Sequence, residues 1–343
     1  MKTLRFAVIG TGFWAKYQIP AWMELEGIEL VALYNRTKSR AEAIAHQYNV
    51  PGVYDNVKDL FKNERLDFVD IITDVDTHAE FTIAAAQHGI GVICQKPMAP
   101  ELNIARSMVE VCQKHKVPFY IHENWRWQSP IRKLKEILKS QAIGKIFKGR
   151  VCFCSAFPVF DNQPFLAKLD EFILTDIGSH ILDVCRFLFG EAESVYCQTA
   201  SVNPKIKGED VANVLMKMEN GISCFAEMSY ASILEREIFP QTLITIEGEE
   251  GSIELARDYA IKVTTRKGTL THRAEPKPYH WADPAYALVH SSILDCNKNL
   301  LEALQGKAEA ETTGKDNFET VRLVHGAYAS AKTNQAITMN AFL

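Results

Sequence analysis

Short apolar runs alternate with mixed apolar and polar stretches through the first third of the chain. Residues 6–9, 30–34, 68–73, 92–94 and 118–121 form largely apolar runs of strand length, as strands buried on both faces do. Between them, residues 15–25, 39–48, 81–88 and 101–115 read as helices. Strands alternating with helices of this length need right-handed crossovers. The pattern therefore predicts a doubly wound parallel sheet covered by helices on both faces.

After Trp127 the texture changes. A helix over 131–139 leads to a strand at 148–156, then to an irregular stretch holding Pro158, Asp161 and Pro164, then to a strongly apolar helix over 175–189. Strands are expected at 194–202, 211–218, 222–230, 242–247, 252–256 and 261–265, with closing helices over 285–305 and 316–332. Asn220-Gly221 between two of these strands predicts a type I′ hairpin. The fold class is α/β: a Rossmann domain over 1–122, then an α+β domain over 123–343 with a large, mostly antiparallel sheet. One face of that sheet is expected to be open and apolar, and covering it predicts a homo-oligomer.

A length of 343 residues favours two domains over one core. The formal net charge of -4 gives no electrostatic reason to expect nucleic acid or an anionic membrane as partner. The apolar stretch before Gly10 is too short for a signal peptide, so a cytoplasmic location is expected. Eight cysteines without a Cys-x-x-Cys pair read as reduced thiols; Cys152 and Cys154 share one strand face and suit a disulfide poorly. Nothing has metal-ligand spacing, so no metal is expected.

Three features carry chemistry. Gly10-Thr11-Gly12-Phe13-Trp14-Ala15 fits G-x-G-x-x-G/A between the first strand and the first helix, where glycines let backbone amides approach a pyrophosphate. At the end of the second strand stands Asn35, followed by Arg36 and Thr37, in place of the carboxylate that would bind a ribose 2′-hydroxyl. On that chemistry alone NADP, or dual use, is favoured. Lys96, in Gln95-Lys96-Pro97, projects from the carboxyl end of a strand. Asp176, His180 and Asp183 are spaced to line one face of an otherwise apolar helix, a seam that must either satisfy itself internally or face a ligand. Asp176 could equally serve the first turn of that helix.

These residues, in this order, resemble the glucose-fructose oxidoreductase/inositol dehydrogenase family (Gfo/Idh/MocA), which joins such a loop to Glu-Lys-Pro and to an Asp-x-x-x-His helix. Gln95 departs from the family's glutamate. The resemblance covers essentially the whole chain and implies hydride transfer from a carbinol carbon to a nicotinamide. His180 would be the general base, Lys96 the donor to the alkoxide, and Asp176 the group that orients substrate and tunes His180. It also implies cofactor contacts from Gly10, Thr11, Gly12, Phe13, Trp14, Asn35, Arg36, Gln95 and Lys96. The wording of 94–100 and 122–130 is closest to a branch that oxidises a branched pentose to its lactone with NAD, which places NAD ahead of NADP. Glu123, Asn124, Trp125 and Arg126 offer hydrogen bonds and stacking suited to a sugar; the alternative for the tryptophans is packing, Trp127 above all. Tyr279-His280-Trp281 is a further candidate for the pocket wall. Tyr328-x-x-x-Lys332 matches the catalytic spacing of short-chain dehydrogenases but lies after a second domain, and reads as coincidence. Other readings are a dehydrogenase of a different polyol or cyclitol, or a non-catalytic NAD(P)-sensing protein.

Overall fold

The computed structural model describes residues 3–237 and 239–342. Six strands build the first sheet: β1 (Leu4–Ile9), β2 (Ile28–Tyr34), β3 (Gly52–Tyr54), β4 (Phe68–Ile71), β5 (Gly91–Gln95) and β6 (Phe119–His122). All pairs are parallel, in the order β3-β2-β1-β4-β5-β6. The order reverses between β1 and β4, and dinucleotides bind at the carboxyl ends of strands at such a switch point. Buried Ala7, Ile9, Val69, Ile71, Val92 and Cys94 form its core with Phe81, Ala85 and Met108 from the covering helices. β3 and the helix Val57–Asn63 are absent from the sequence expectation, because three half-buried residues carry too little periodicity to register.

Two compact units emerge: Met1–Glu123 with Ile293–Val321, and Asn124–Ser292 with Arg322–Leu343. The single cut at 122/123 expected from the pattern therefore misses an excursion. The reason is an edge. Segment 293–321 returns to β6, where Ile121 N–H donates to the Thr312 carbonyl and Tyr120 bridges to Thr313. A side chain at Gly314 would strike the Phe119 ring, so glycine permits this close approach. The excursion protects an edge strand that would otherwise present unpaired backbone.

The second sheet has nine strands: β7 (Ile146–Cys154), β8 (Ala192–Ala200), β9 (Val211–Met218), β10 (Ser223–Ser229), β11 (Leu243–Gly248), β12 (Gly251–Leu255), β13 (Ala260–Thr265), β14 (Gly268–Arg273) and β15 (Ile337–Thr338). Their order is β14-β13-β12-β11-β7-β10-β9-β8-β15, with β7 and β10 parallel and the other pairs antiparallel. Along β7, buried Gly149, Val151 and Phe153 alternate with more exposed Lys148, Arg150, Cys152 and Cys154. The helix Ser179–Phe189 packs against β7 and β10.

The other face of this sheet is mixed, with exposed Leu215 paired to half-buried Phe225. It carries cross-strand ion pairs, Lys148 with Glu247, Arg150 with Glu227, Lys217 with Glu193 and Lys262 with Glu254. The open face expected from the sequence is therefore apolar only in part. The Asn220-Gly221 turn also differs from expectation. Of the pair only Gly221 has a positive φ, because the Asn220 side chain is held by the Phe189 carbonyl, and a type I′ turn would need both. All eight cysteines are free thiols. Among the described residues, no helix is long and apolar enough to cross a membrane.

Candidate active site

In the first unit the loop after β1 is shaped by its glycines. Gly10 has φ +111°, and a Cβ on it would lie 2.8 Å from the Ile72 carbonyl oxygen, so only glycine fits. A Cβ on Gly12 would meet nothing within 4 Å, which leaves room for a phosphate to approach the backbone. Ala15 is buried at the start of the helix Ala15–Met23, as close helix–sheet packing requires. Phe13 is exposed and makes an edge contact with Trp14. These residues fit a dinucleotide.

Asn35 braces this loop: its amide nitrogen donates to Thr11 Oγ1 at 2.7 Å, and its oxygen accepts the Thr37 N–H at 2.8 Å. Arg36 is exposed and lies 3.6 Å from the Asp74 carboxylate. That carboxylate partly offsets the charge that would draw a 2′-phosphate. Asp74→Asn should therefore raise kcat/KM for NADP relative to NAD by roughly threefold, the scale of an exposed charge contact. A ratio unchanged in steady-state assays would show that Asp74 has no part in the choice.

Lys96 follows β5 and is half-buried. Its backbone N–H donates to Gln95 Oε1 at 3.0 Å, and Gln95 Nε2 donates to Gln18 Oε1 at 3.0 Å. Gln18 Nε2 in turn donates to both oxygens of Asp70, at 3.0 and 2.9 Å, and Trp22 Nε1 donates to Asp70 Oδ2 at 2.7 Å. On the far side of Lys96, the His78 ring sits 3.1 Å from the carbonyl oxygens of both Pro97 and Thr73. Both backbone neighbours of Lys96 are thus fixed. Gln95, expected to touch cofactor, is buried and turned inward to Gln18.

In the second unit the chain passes through a π-helical turn, Leu174–Gly178, before the helix Ser179–Phe189 begins. Such turns are frequent at functional sites. The turn holds Asp176 and ends before His180: His180 and Asp183 meet the adjacent residues Trp125 and Arg126, while Asp176 meets Tyr230. Tyr230 is the residue after β10, and its hydroxyl donates to Asp176 Oδ2 at 3.0 Å. Burial and the nearby Asp176 carboxylate hold the Tyr230 hydroxyl well above its usual pKa, so it stays a donor. His180 is buried with its ring stacked on Trp125, centroids 4.4 Å apart. Trp125 is anchored in turn by Nε1, which donates to Thr242 Oγ1 at 3.0 Å. Asp183 is fully buried and accepts from Arg126 Nε at 2.7 Å, with a second bond to the guanidinium.

The segment 122–130 is more internal than its sequence suggested. His122 is buried in the first unit, and burial pushes its imidazole down to about 4, so it is neutral at physiological pH. Glu123 is also buried there. In the second unit Asn124 donates to Ser292 Oγ at 2.8 Å, and the Trp127 ring carries the Arg132 guanidinium at 4.1 Å. Asn124, Trp125 and Arg126, expected to meet substrate, are all engaged by neighbouring side chains. Tyr279 and Trp281 stack on each other, with Trp281 near His290. Tyr328 donates to Glu209 at 2.9 Å and accepts the Thr175 N–H, while Glu209 accepts the N–H groups of Phe172 and Ile173. Tyr328 thus serves the start of the π-helical turn, while Lys332 pairs with Glu171 at the surface.

Tyr230, Gln18 and Asp70 were not anticipated. Only Asp70 carried a signal, as a lone carboxylate inside the apolar run Phe68-Val69-Asp70-Ile71. No metal-binding cluster of His, Cys, Asp and Glu exists among the described residues.

Comparison with known proteins decides the lineage. Residues 4–123 match the oxidoreductase family with an NAD-binding Rossmann fold, and residues 131–254 match the GFO/IDH/MocA C-terminal domain. The chain is 39% identical to a D-apiose dehydrogenase of Paraburkholderia graminis, covering 99% of this chain and 90% of that protein. It is 39% identical to a D-apiose dehydrogenase of Rhizobium rhizogenes, covering 100% and 99%. The chain belongs to the GFO/IDH/MocA oxidoreductase family. An oxidoreductase from Agrobacterium radiobacter, solved in complex with NAD+, L-tartaric acid and magnesium, superimposes with a TM-score of 0.97 at 38% identity over all of both chains. As a member of the GFO/IDH/MocA family the chain is an NAD-dependent oxidoreductase, and residues 4–123, which include the Gly10–Gly12 loop, match its NAD-binding Rossmann domain. The family resemblance that placed NAD ahead of NADP agrees with this, whereas the chemistry of Asn35 and Arg36 alone had favoured NADP or dual use.

Proposed function

We propose that this protein is a sugar dehydrogenase that oxidises a D-apiose-like pentose at its hemiacetal carbon, giving a lactone. The observation that carries the proposal is His180, a buried imidazole seated on Trp125 beyond a π-helical turn that presents Asp176, in a chain 39% identical over its length to two D-apiose dehydrogenases. Bound NAD supplies the hydride acceptor. The chain's own task is the hydroxyl proton. His180 takes it as general base and becomes imidazolium. Lys96 donates a hydrogen bond to the oxygen as it gains alkoxide character. Asp176, held by Tyr230, orients the substrate and favours the protonated state of His180. A hemiacetal carbon that loses hydride and proton becomes an ester carbonyl within the ring, hence the lactone.

The test is a substrate panel followed by reduced-nicotinamide absorbance, with NAD and NADP against D-apiose, other pentoses, hexoses and cyclitols. D-apiose with NAD should give the highest kcat/KM, and the product should yield a hydroxamate with hydroxylamine. A cyclitol as the best substrate, giving a ketone, would replace this proposal with the polyol reading. Tight NAD binding without turnover on any member would favour a sensor.

A further inference from the structure

Two glutamines and one carboxylate lie behind Lys96, and their order is not arbitrary. An amide side chain has a donor end and an acceptor end and can be set either way round. Trp22 offers only a donor, and it is committed to Asp70 at 2.7 Å. The two Asp70 oxygens must then accept, which turns the Gln18 amide nitrogen toward them and its oxygen toward Gln95. Gln95 must meet that oxygen with its own nitrogen, and its oxygen is left for the Lys96 N–H. Trp22, Gln18 and Asp70 are fully buried and Gln95 is 9% exposed. Reversing either amide would set two acceptors against each other where water cannot intervene. Burial pushes the Asp70 carboxyl up to about 6, against the bonds from Trp22 and Gln18 that pull it down, so it is charged at neutral pH.

We propose that Asp70, Gln18 and Gln95 form a polarity relay that positions Lys96, with the carboxylate in β4 dictating the direction of both amides and so the acceptor offered to the lysine backbone. The proposal rests on the role given to Lys96 above. It makes Gln18, Asp70 and Gln95 positioning residues. It also accounts for the departure from Glu-Lys-Pro: with Asp70 and Gln18 in place, a glutamate at position 95 would aim a carboxylate at the Gln18 oxygen. An amide is required there.

The relay can be inverted as a test. Gln95→Glu alone should lower kcat roughly tenfold, the scale of a coupled neighbouring pair. Asp70→Asn should cost less, because one amide oxygen at that position can still accept from Trp22 and Gln18. Combined, D70N/Q95E restores every match with the opposite polarity. The amide introduced in β4 donates to the Gln18 oxygen, and the Gln18 nitrogen then donates to the carboxylate introduced beside Lys96. The double variant should recover kcat to within about threefold of wild type, above Q95E alone. Melting temperature and NAD affinity are measured on all three. Wild-type turnover in Q95E, a double variant no better than the product of the singles, or a double variant that does not fold would each overturn the relay. A Q95E protein that fails to fold while D70N/Q95E folds and turns over supports it. If Lys96→Ala keeps full turnover, the role of Lys96 fails, yet recovery of melting temperature and NAD affinity in the double variant still reports on the relay.

Discussion

Replacing Lys96 with alanine should lower kcat by ~10²–10⁴-fold while NAD affinity changes little. That range corresponds to about 3–5 kcal/mol of transition-state stabilisation, the scale of a donor aimed at a developing oxyanion. The asymmetry between turnover and cofactor binding follows from the layout of the first unit. The Gly10–Gly12 loop, braced by Asn35 through Thr11, lies after β1, whereas Lys96 follows β5 and is fixed through Gln95 on one side and His78 on the other. Loss of the Lys96 side chain leaves Gln95, Gln18, Asp70 and His78 with their partners, because the relay grips the backbone N–H. Folding should therefore be retained. The measurements are steady-state kinetics with D-apiose, NAD affinity from quenching of intrinsic fluorescence, and a melting curve. Turnover near that of the parent enzyme would remove Lys96 from the chemistry. A loss of NAD affinity equal to the loss in kcat/KM would instead make Lys96 a cofactor ligand.

Features that depend on neighbours in sequence are legible from the amino acids alone. The Gly10–Gly12 turn, the strand–helix alternation that yields the parallel sheet, and the helix that carries His180 all announce themselves within a few residues. What escapes depends on distant partners. The pairing of Ile121 with Thr312 spans most of the chain, and it places 293–321 in the first unit although nothing local marks the change. β14 is exposed along nearly its whole length and β15 is two residues long, so neither has a hydrophobic rhythm to read. The polar seam on the apolar helix does need satisfaction, as its burial implies. Tyr230 meets Asp176, Trp125 meets His180 and Arg126 meets Asp183, with Asp176 inside the π-helical turn and the other two beyond it. Hydrogen bonds between Gln18, Gln95 and Asp70 cross intervals of 52 and 77 residues, beyond any motif.

Arg126 is where the largest loss of stability is expected. Its guanidinium meets Asp183 through two bonds, with the arginine side chain 5% exposed and the aspartate wholly enclosed. Removing the cation in Arg126→Met strands a carboxylate in the core, a change that costs about 3–5 kcal/mol. In a unit of this size that corresponds to a melting temperature lower by roughly 10 °C. Methionine keeps much of the arginine's length and can still lie near the Phe187 ring that the guanidinium now faces at 5.4 Å, so the loss isolates charge from packing. Asp183→Asn added to Arg126→Met neutralises the stranded carboxylate and should return at least half of the deficit, because the penalty belongs to the unpaired charge more than to the missing bonds. The same clamp bears on chemistry. Arg126 follows Trp125 directly, and Asp183 lies one turn past His180, so the ion pair fixes both the platform and the helix that meet at the imidazole. Arg126→Met should therefore weaken turnover even at temperatures where it stays folded, with the double variant recovering stability before activity. Thermal melts of the two single variants and the double, each paired with kcat at a temperature well below melting, separate these effects. An Arg126→Met protein that melts with the parent would show that Asp183 finds another counter-charge, and the clamp would have no part in holding His180.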